Sequence, residues 1–113
     1  MVNGRIYIGW SRGDITPSRK TLLMGQFYER KSEGVLSPLS ATAMALEISG
    51  EGGATDHVVF LSCDLCQEAF KADLLPILHG SCPDLDPKKL TVSCTHTHTA
   101  PALRRGIYAE PEA

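Results

Sequence analysis

No stretch of about 18 consecutive apolar residues occurs in this 113-residue chain, which excludes a membrane-spanning helix. Charge of one sign is equally scarce. Eleven Lys and Arg stand against 13 Asp and Glu, a formal net charge of −2. The basic residues, among them Arg12, Arg19, Lys20, Arg30, Lys31, Lys88, Lys89, Arg104 and Arg105, are scattered along the sequence rather than gathered in a run, so nucleic acid is not an expected partner. The opening Met1-Val2-Asn3-Gly4-Arg5 leads into a strand-like segment without a long apolar h-region. No export signal is read there, and a cytoplasmic location is expected. Cysteine is sparse as well: Cys63, Cys66, Cys82 and Cys94, without a signal peptide, read as thiols or metal ligands rather than as a disulfide framework. Repeats, heptads and low-complexity tracts are absent. What is present is 42% hydrophobic against 21% charged residues, enough apolar side chain for one globular domain.

Along the chain, Arg5 to Trp10 alternates apolar with small or polar residues and meets Gly13-Asp14-Ile15-Thr16-Pro17, which reads as a strand entering an ordered loop. Ser18 to Ser37 shows no sustained period and is expected to be a long loop, a feature that often carries function in a small domain. Ala41 to Ile48 has helix formers, yet Pro38 and Gly50-Glu51-Gly52-Gly53 bound it tightly, so a strand turning through a Gly-rich hairpin is expected. Asp56 to Ser62 is β-branched, aromatic and apolar, as a central strand buried on both faces would be. In Gln67 to Leu78, Phe70, Leu74, Ile77 and Leu78 fall at helical spacing; Pro76 would kink this helix and Gly80 end it. Leu90 to Cys94 is a further strand. The order β, β, β, α, β predicts an α/β fold, a mixed β-sheet with one principal helix packed on one face. Tyr108 to Ala113 has no pattern and is expected to fray.

The sharpest chemical feature is Thr95-His96-Thr97-His98 directly after a strand. If the extended backbone continues, a spacing of two sets both imidazoles on one face, roughly 6 to 7 Å apart, suited to a metal ion or to a metal plus a catalytic group. The flanking threonines could fix ring tautomers. The plain structural alternative is two partly exposed histidines at a strand end. Cys63-Asp64-Leu65-Cys66 lies between a strand and a helix, an outline shared with thiol-disulfide oxidoreductases, although Asp64 would oppose thiolate formation. A structural zinc site from Cys63, Cys66, His96 and His98 is compositionally open, and Cys82 and Cys94 read as packing residues. Asp14, two residues before Thr16, reads as capping its own turn. His57 and His79 receive no role, and Arg104-Arg105 reads as a solvated pair.

Five segments, Gly9 to Pro17, Leu23-Met24-Gly25, Gly34 to Ala43, Val58 to Leu65 and Leu90 to Pro101, together resemble the start of the neutral/alkaline non-lysosomal ceramidase family, in the family's order. The resemblance implies that residues 1–113 form a single, partial domain of a larger ceramidase-like fold. It further implies a zinc cofactor with His96 as metal ligand, and His98 as the neighbouring catalytic residue that binds substrate or stabilises the transition state. The implied reaction is hydrolysis of an N-acyl amide, with an N-acyl lipid or related amide as substrate. The family's remaining ligands, a further histidine, a glutamate and a tyrosine, come from later segments, so no turnover is expected of this chain alone. Asp64 matches the family's strand-end aspartate. One departure stands out: after the histidines the ceramidases read Ser-Gly-Pro-Gly-Gly, where this chain has Thr99-Ala100-Pro101-Ala102-Leu103. The competing reading is a non-enzymatic module that binds metal or a partner. A homodimer formed through uncovered sheet edges is also expected.

Overall fold

A computed structural model describes residues 4–103 of the chain. Its element order is β1 (Arg5–Asp14), β2 (Ser40–Ser49), a 3₁₀ turn (Glu51–Gly53), β3 (Thr55–Cys63), α1 (Lys71–Ser81), a second 3₁₀ turn (Pro87–Lys89) and β4 (Leu90–Cys94). The strands form one sheet in the order β1-β2-β3-β4. β1 and β2 pair antiparallel from Arg5↔Ser49 to Asp14↔Ser40, β2 and β3 pair antiparallel, and β3 and β4 pair parallel from Val59↔Leu90 to Cys63↔Cys94. The sheet is therefore mixed and the fold is α/β. Parallel β3 and β4 need a crossover, and the chain from 64 to 89, with α1 inside it, supplies one.

The Ala-rich segment is a strand because tertiary pairing overrides its helix propensity: Ala41 to Leu46 is bonded into β1 on one side and β3 on the other. Gly52 and Gly53, at φ 77° and 79°, make the turn that joins β2 to β3. Strand alternation puts Ala41, Leu61, Cys63 and Cys94 on one face. There they meet Leu39, Leu65, Phe70 and Ala100 in the core cluster. The opposite face carries Ile6, Ile8 and Trp10 of β1 opposite Ile48, Leu46 and Met44 of β2, and Phe60 of β3. β3 is thus an inner strand, as expected, but it is covered on one face only, since Phe60 is 43% exposed.

The helix differs from expectation in extent and in packing. It starts at Lys71 rather than Gln67 and runs past Gly80 to Ser81, with Pro76 inside it. None of its residues is buried, and Ile77 is exposed, so the 3.6-residue spacing marks a face that stays largely open. It is tied down at its start by Phe70, which reaches the core cluster, and by Lys71 Nζ, which donates to the Leu90 carbonyl at 2.9 Å. The radius of gyration is 17.8 Å and the extents are 59 × 26 × 23 Å, elongated against the roughly 13 Å of a compact domain of this length. No helix among the described residues is long and apolar enough to cross a membrane. Arg104-Arg105 and Tyr108 to Ala113 lie outside the described residues.

Candidate metal centre

Three segments meet where β3 and β4 end. Thr95 N–H donates to the Cys63 carbonyl and His96 N–H to the Leu65 carbonyl, both at 3.0 Å, so the two strand exits stay bonded for one step beyond the sheet. The long loop between β1 and β2 closes over them: Met24 N–H donates to the Ala100 carbonyl at 3.1 Å, Ala102 N–H to the Leu22 carbonyl at 2.8 Å, and Leu23 bridges Pro101. Leu22 and Leu23 are each 6% exposed, which anchors an otherwise irregular loop.

Asp64 ties the arrangement together. Its carboxylate accepts from Ser40 N–H at 2.9 Å and Ser40 Oγ–H at 3.0 Å, and from Thr95 Oγ–H at 3.3 Å. It thereby links the start of β2, the exit of β3 and the residue before His96. These bonds, first that from the Ser40 backbone, hold its pKa below the ordinary aspartate value. Asp14 accepts from Thr16 N–H at 2.8 Å, the expected self-capped turn, and Thr16 Oγ1 then accepts from Leu39 N–H at 2.8 Å.

The histidines adjoin, though not by simple extension of the strand. β4 stops at Cys94, and His96 takes a left-handed backbone at φ 64°, a conformation in which His is over-represented among non-glycine residues and which costs of order 1–3 kcal/mol. The bend brings the two rings edge to face with centroids 4.9 Å apart, closer than the 6 to 7 Å of an extended chain. His96 Nδ1–H donates to the Cys66 carbonyl at 2.7 Å, and a carbonyl can only accept, so the proton sits on Nδ1 and Nε2 keeps its lone pair. That is the back-side bond a metal-bound imidazole ordinarily has. Gly25, at φ 99°, lies under the other ring: a Cβ there would come within 2.5 Å of His98 Cγ. The loop glycine is thus required by the histidine above it.

Cys66 completes the group. Its sulfur, buried, is 3.6 Å from His96 Nδ1, and ligand atoms of Cys66, His96 and His98 all lie within 4.8 Å of one another. One thiol and two imidazoles make a donor set that suits zinc or another borderline-soft cation, after a contraction of roughly 1 Å toward the spacing of a tetrahedral shell. Cys63 is not in the group. It faces the core beside Leu65 and Ala100, and burial, then Cys94 and Asp64, pushes its thiol pKa up. Burial raises that of Cys94 too, with Glu68 and Cys66 adding to it. All four cysteines are free. Because α1 begins only at Lys71, no helix N-terminus lies at Cys66, and the dipole expected to favour an oxidoreductase thiolate is missing. Cys82 is exposed rather than packed.

His96 and His98 adjoin, as their spacing of two predicts, whereas Cys66, expected only in a structural set with Cys63, joins them without it, and Gly25, with no expected role, seats the His98 ring. The signal for Cys66 was its strand-end position, parallel to that of the histidines. Ala100 is wholly buried in the core cluster, so the Thr99-Ala100-Pro101 segment packs behind the site. Neither protein-family models nor curated proteins give a match for this chain.

Proposed function

We propose that this chain supplies the metal-binding end of a zinc-dependent hydrolase acting on an N-acyl amide, the activity implied by its resemblance to the neutral/alkaline non-lysosomal ceramidases. The observation that carries the reading is the 2.7 Å contact of His96 Nδ1 with the Cys66 carbonyl, which leaves Nε2 free to act as a ligand atom, with the His98 ring adjoining. A zinc ion held there would polarise the amide carbonyl and activate a water against it. The chain's own residues prepare that geometry. His96 is oriented by the Cys66 carbonyl, His98 is seated on Gly25, and Asp64 holds the turn through Thr95. His98, exposed next to the ligand atom, is placed to bind the carbonyl oxygen of the substrate. Cys66 separates the catalytic reading from a metal-binding module without catalysis, because a thiolate ligand would leave fewer coordination positions for water and substrate.

Calorimetric zinc titration tests the reading. Binding should be lost in His96→Ala and weakened in His98→Ala. Retention of binding in Cys66→Ser favours the hydrolytic arrangement, and its loss favours the module. Zinc affinity unaffected by His96→Ala would refute both.

The proposed homodimer has a candidate edge in β1, ten residues without proline and with Ile6, Ile8 and Trp10 exposed. Sedimentation should show a dimer that Ile8→Lys disperses.

A further inference from the structure

Basic residues that are scattered in the sequence are gathered by the fold. The loop between β1 and β2 doubles back on itself: Ser32 N–H donates to the Thr21 carbonyl and Leu23 N–H to the Arg30 carbonyl, each at 2.8 Å, and Leu22 bridges Lys31. This short antiparallel ladder brings Arg19-Lys20 and Arg30-Lys31, about one loop apart in sequence, to the wall of a single cleft of about 920 Å³. Thr97 and Thr99 close its far side, so the cleft and the histidine rings share one segment, although neither ring lines the cleft. Two carboxylates also face it. Asp64 is already engaged by Ser40 and Thr95, which leaves Glu33 against four cations. Lys31 has only a marginal ion pair with Glu29, at 4.0 Å. The rest of the wall alternates serines and threonines with an aliphatic stretch, Val35-Leu36 and Pro38-Leu39, in which Val35 and Leu36 are 62% and 104% exposed.

A cleft that sets four cations beside an aliphatic stretch of its wall has the complement of an anionic head on a hydrocarbon tail. We infer that it binds a single-chain anionic amphiphile, such as a fatty carboxylate, with the head among Arg19, Lys20, Arg30 and Lys31 and the tail against Val35 and Leu36. The guanidinium groups would hold a carboxylate by paired N–H donors, and the aliphatic stretch would take the tail out of water. The inference requires no metal, so it stands or falls apart from the zinc reading.

The test is titration of the metal-free protein with decanoate below its micellar concentration, followed by amide chemical shifts. Decanoate should bind saturably, with shifts centred on residues 19–36, and salt should weaken it. Phosphate, a head without a tail, should bind more weakly. Decyltrimethylammonium, a tail with the wrong charge, should not compete. The double substitution Arg19→Gln with Arg30→Gln should weaken decanoate roughly five- to tenfold, the loss expected of two solvent-exposed ion pairs. Val35→Asp, which leaves all four cations in place, should weaken it as well. Since these side chains are exposed, unaltered amide spectra in the unliganded variants will confirm that the fold persists. Undiminished binding in the double variant, equal binding of decyltrimethylammonium, or phosphate binding as tightly as decanoate would each overturn the inference.

Discussion

The two ends of the sheet share β1, β2 and β3 but are packed differently. Where β3 and β4 finish, Leu22, Leu23, Cys63, Leu65, Cys66 and Ala100 are all buried, and among the described residues only one other hydrophobic residue, Leu90, is buried elsewhere. At the opposite end Ile6, Ile8 and Ile48 are 70, 60 and 50% exposed. β1–β2 and β2–β3 pairing runs through both ends, whereas β4 pairs only with Val59 to Cys63, and side-chain burial follows the same division. The burial is concentrated behind the segment that carries His96 and His98, which allows a residue in a costly left-handed conformation to be held in place.

The contrast is broken most directly by truncating one apolar residue at each end. Leu23→Ala should cost about 2–4 kcal/mol, as for a leucine removed from a packed site, and Ile6→Ala less than about 0.5 kcal/mol. Urea unfolding measures both, and equal costs would show that the packed end is not the stabilising one. Next in size is Gly25→Ala. A left-handed glycine loses about 1 kcal/mol or more on gaining a Cβ, and here the methyl group would also strike the His98 ring. It should lower zinc affinity about tenfold through displacement of His98, the scale seen when residues that orient ligands are altered. Substitution of Gly9, where a Cβ would meet nothing within 4 Å, should leave zinc binding unchanged.

How much of this could be read from the sequence follows from the range of the interactions. The strands were legible because side-chain alternation and the Gly-rich turn at 50–53 are local signals, and the self-capped Asp14 turn needs only two residues. The adjacency of His96 and His98 was legible because two residues separate them. Its cause was not, since the left-handed bend at His96 depends on hydrogen bonds to Cys66 and Leu65, thirty residues away in the chain. The same holds for Gly25 under His98 and for the gathering of Arg19-Lys20 with Arg30-Lys31, both products of how the long loop folds back. The helix was shifted because its apolar spacing begins before its backbone does: Phe70 belongs to the core, not to the helical face.

At the packed end, Asp64→Asn should have a moderate effect. It keeps the shape of the side chain but weakens three hydrogen bonds from Ser40 and Thr95, for a cost of about 1 kcal/mol given partial solvent access. Because the folded pKa lies below the unfolded one, the contribution is present above the unfolded value and disappears as pH falls through the folded value. Wild type and Asp64→Asn should therefore differ at pH 7 and converge in acid. A difference that grows toward low pH would contradict the assignment.

At the open end the corresponding carboxylate is Asp56, and the smallest effect is expected there. It meets Lys89 Nζ at 3.1 Å and accepts from His57 N–H at 2.8 Å, and these bonds, Lys89 first, lower its pKa. The direction of the pH dependence is thus the same as for Asp64: any stabilisation exists above the unfolded pKa and fades as acid protonates the folded carboxylate. The size is not the same, because Asp56 is exposed and its partner Lys89 only partly buried, so water and salt screen the pair at little cost to the fold. Asp56→Asn should shift the urea midpoint at pH 7 only within experimental scatter, and 1 M salt should erase whatever remains. If its effect instead equalled that of Asp64→Asn, the two ends would be held equally firmly by their carboxylates, and burial would no longer account for the difference between them.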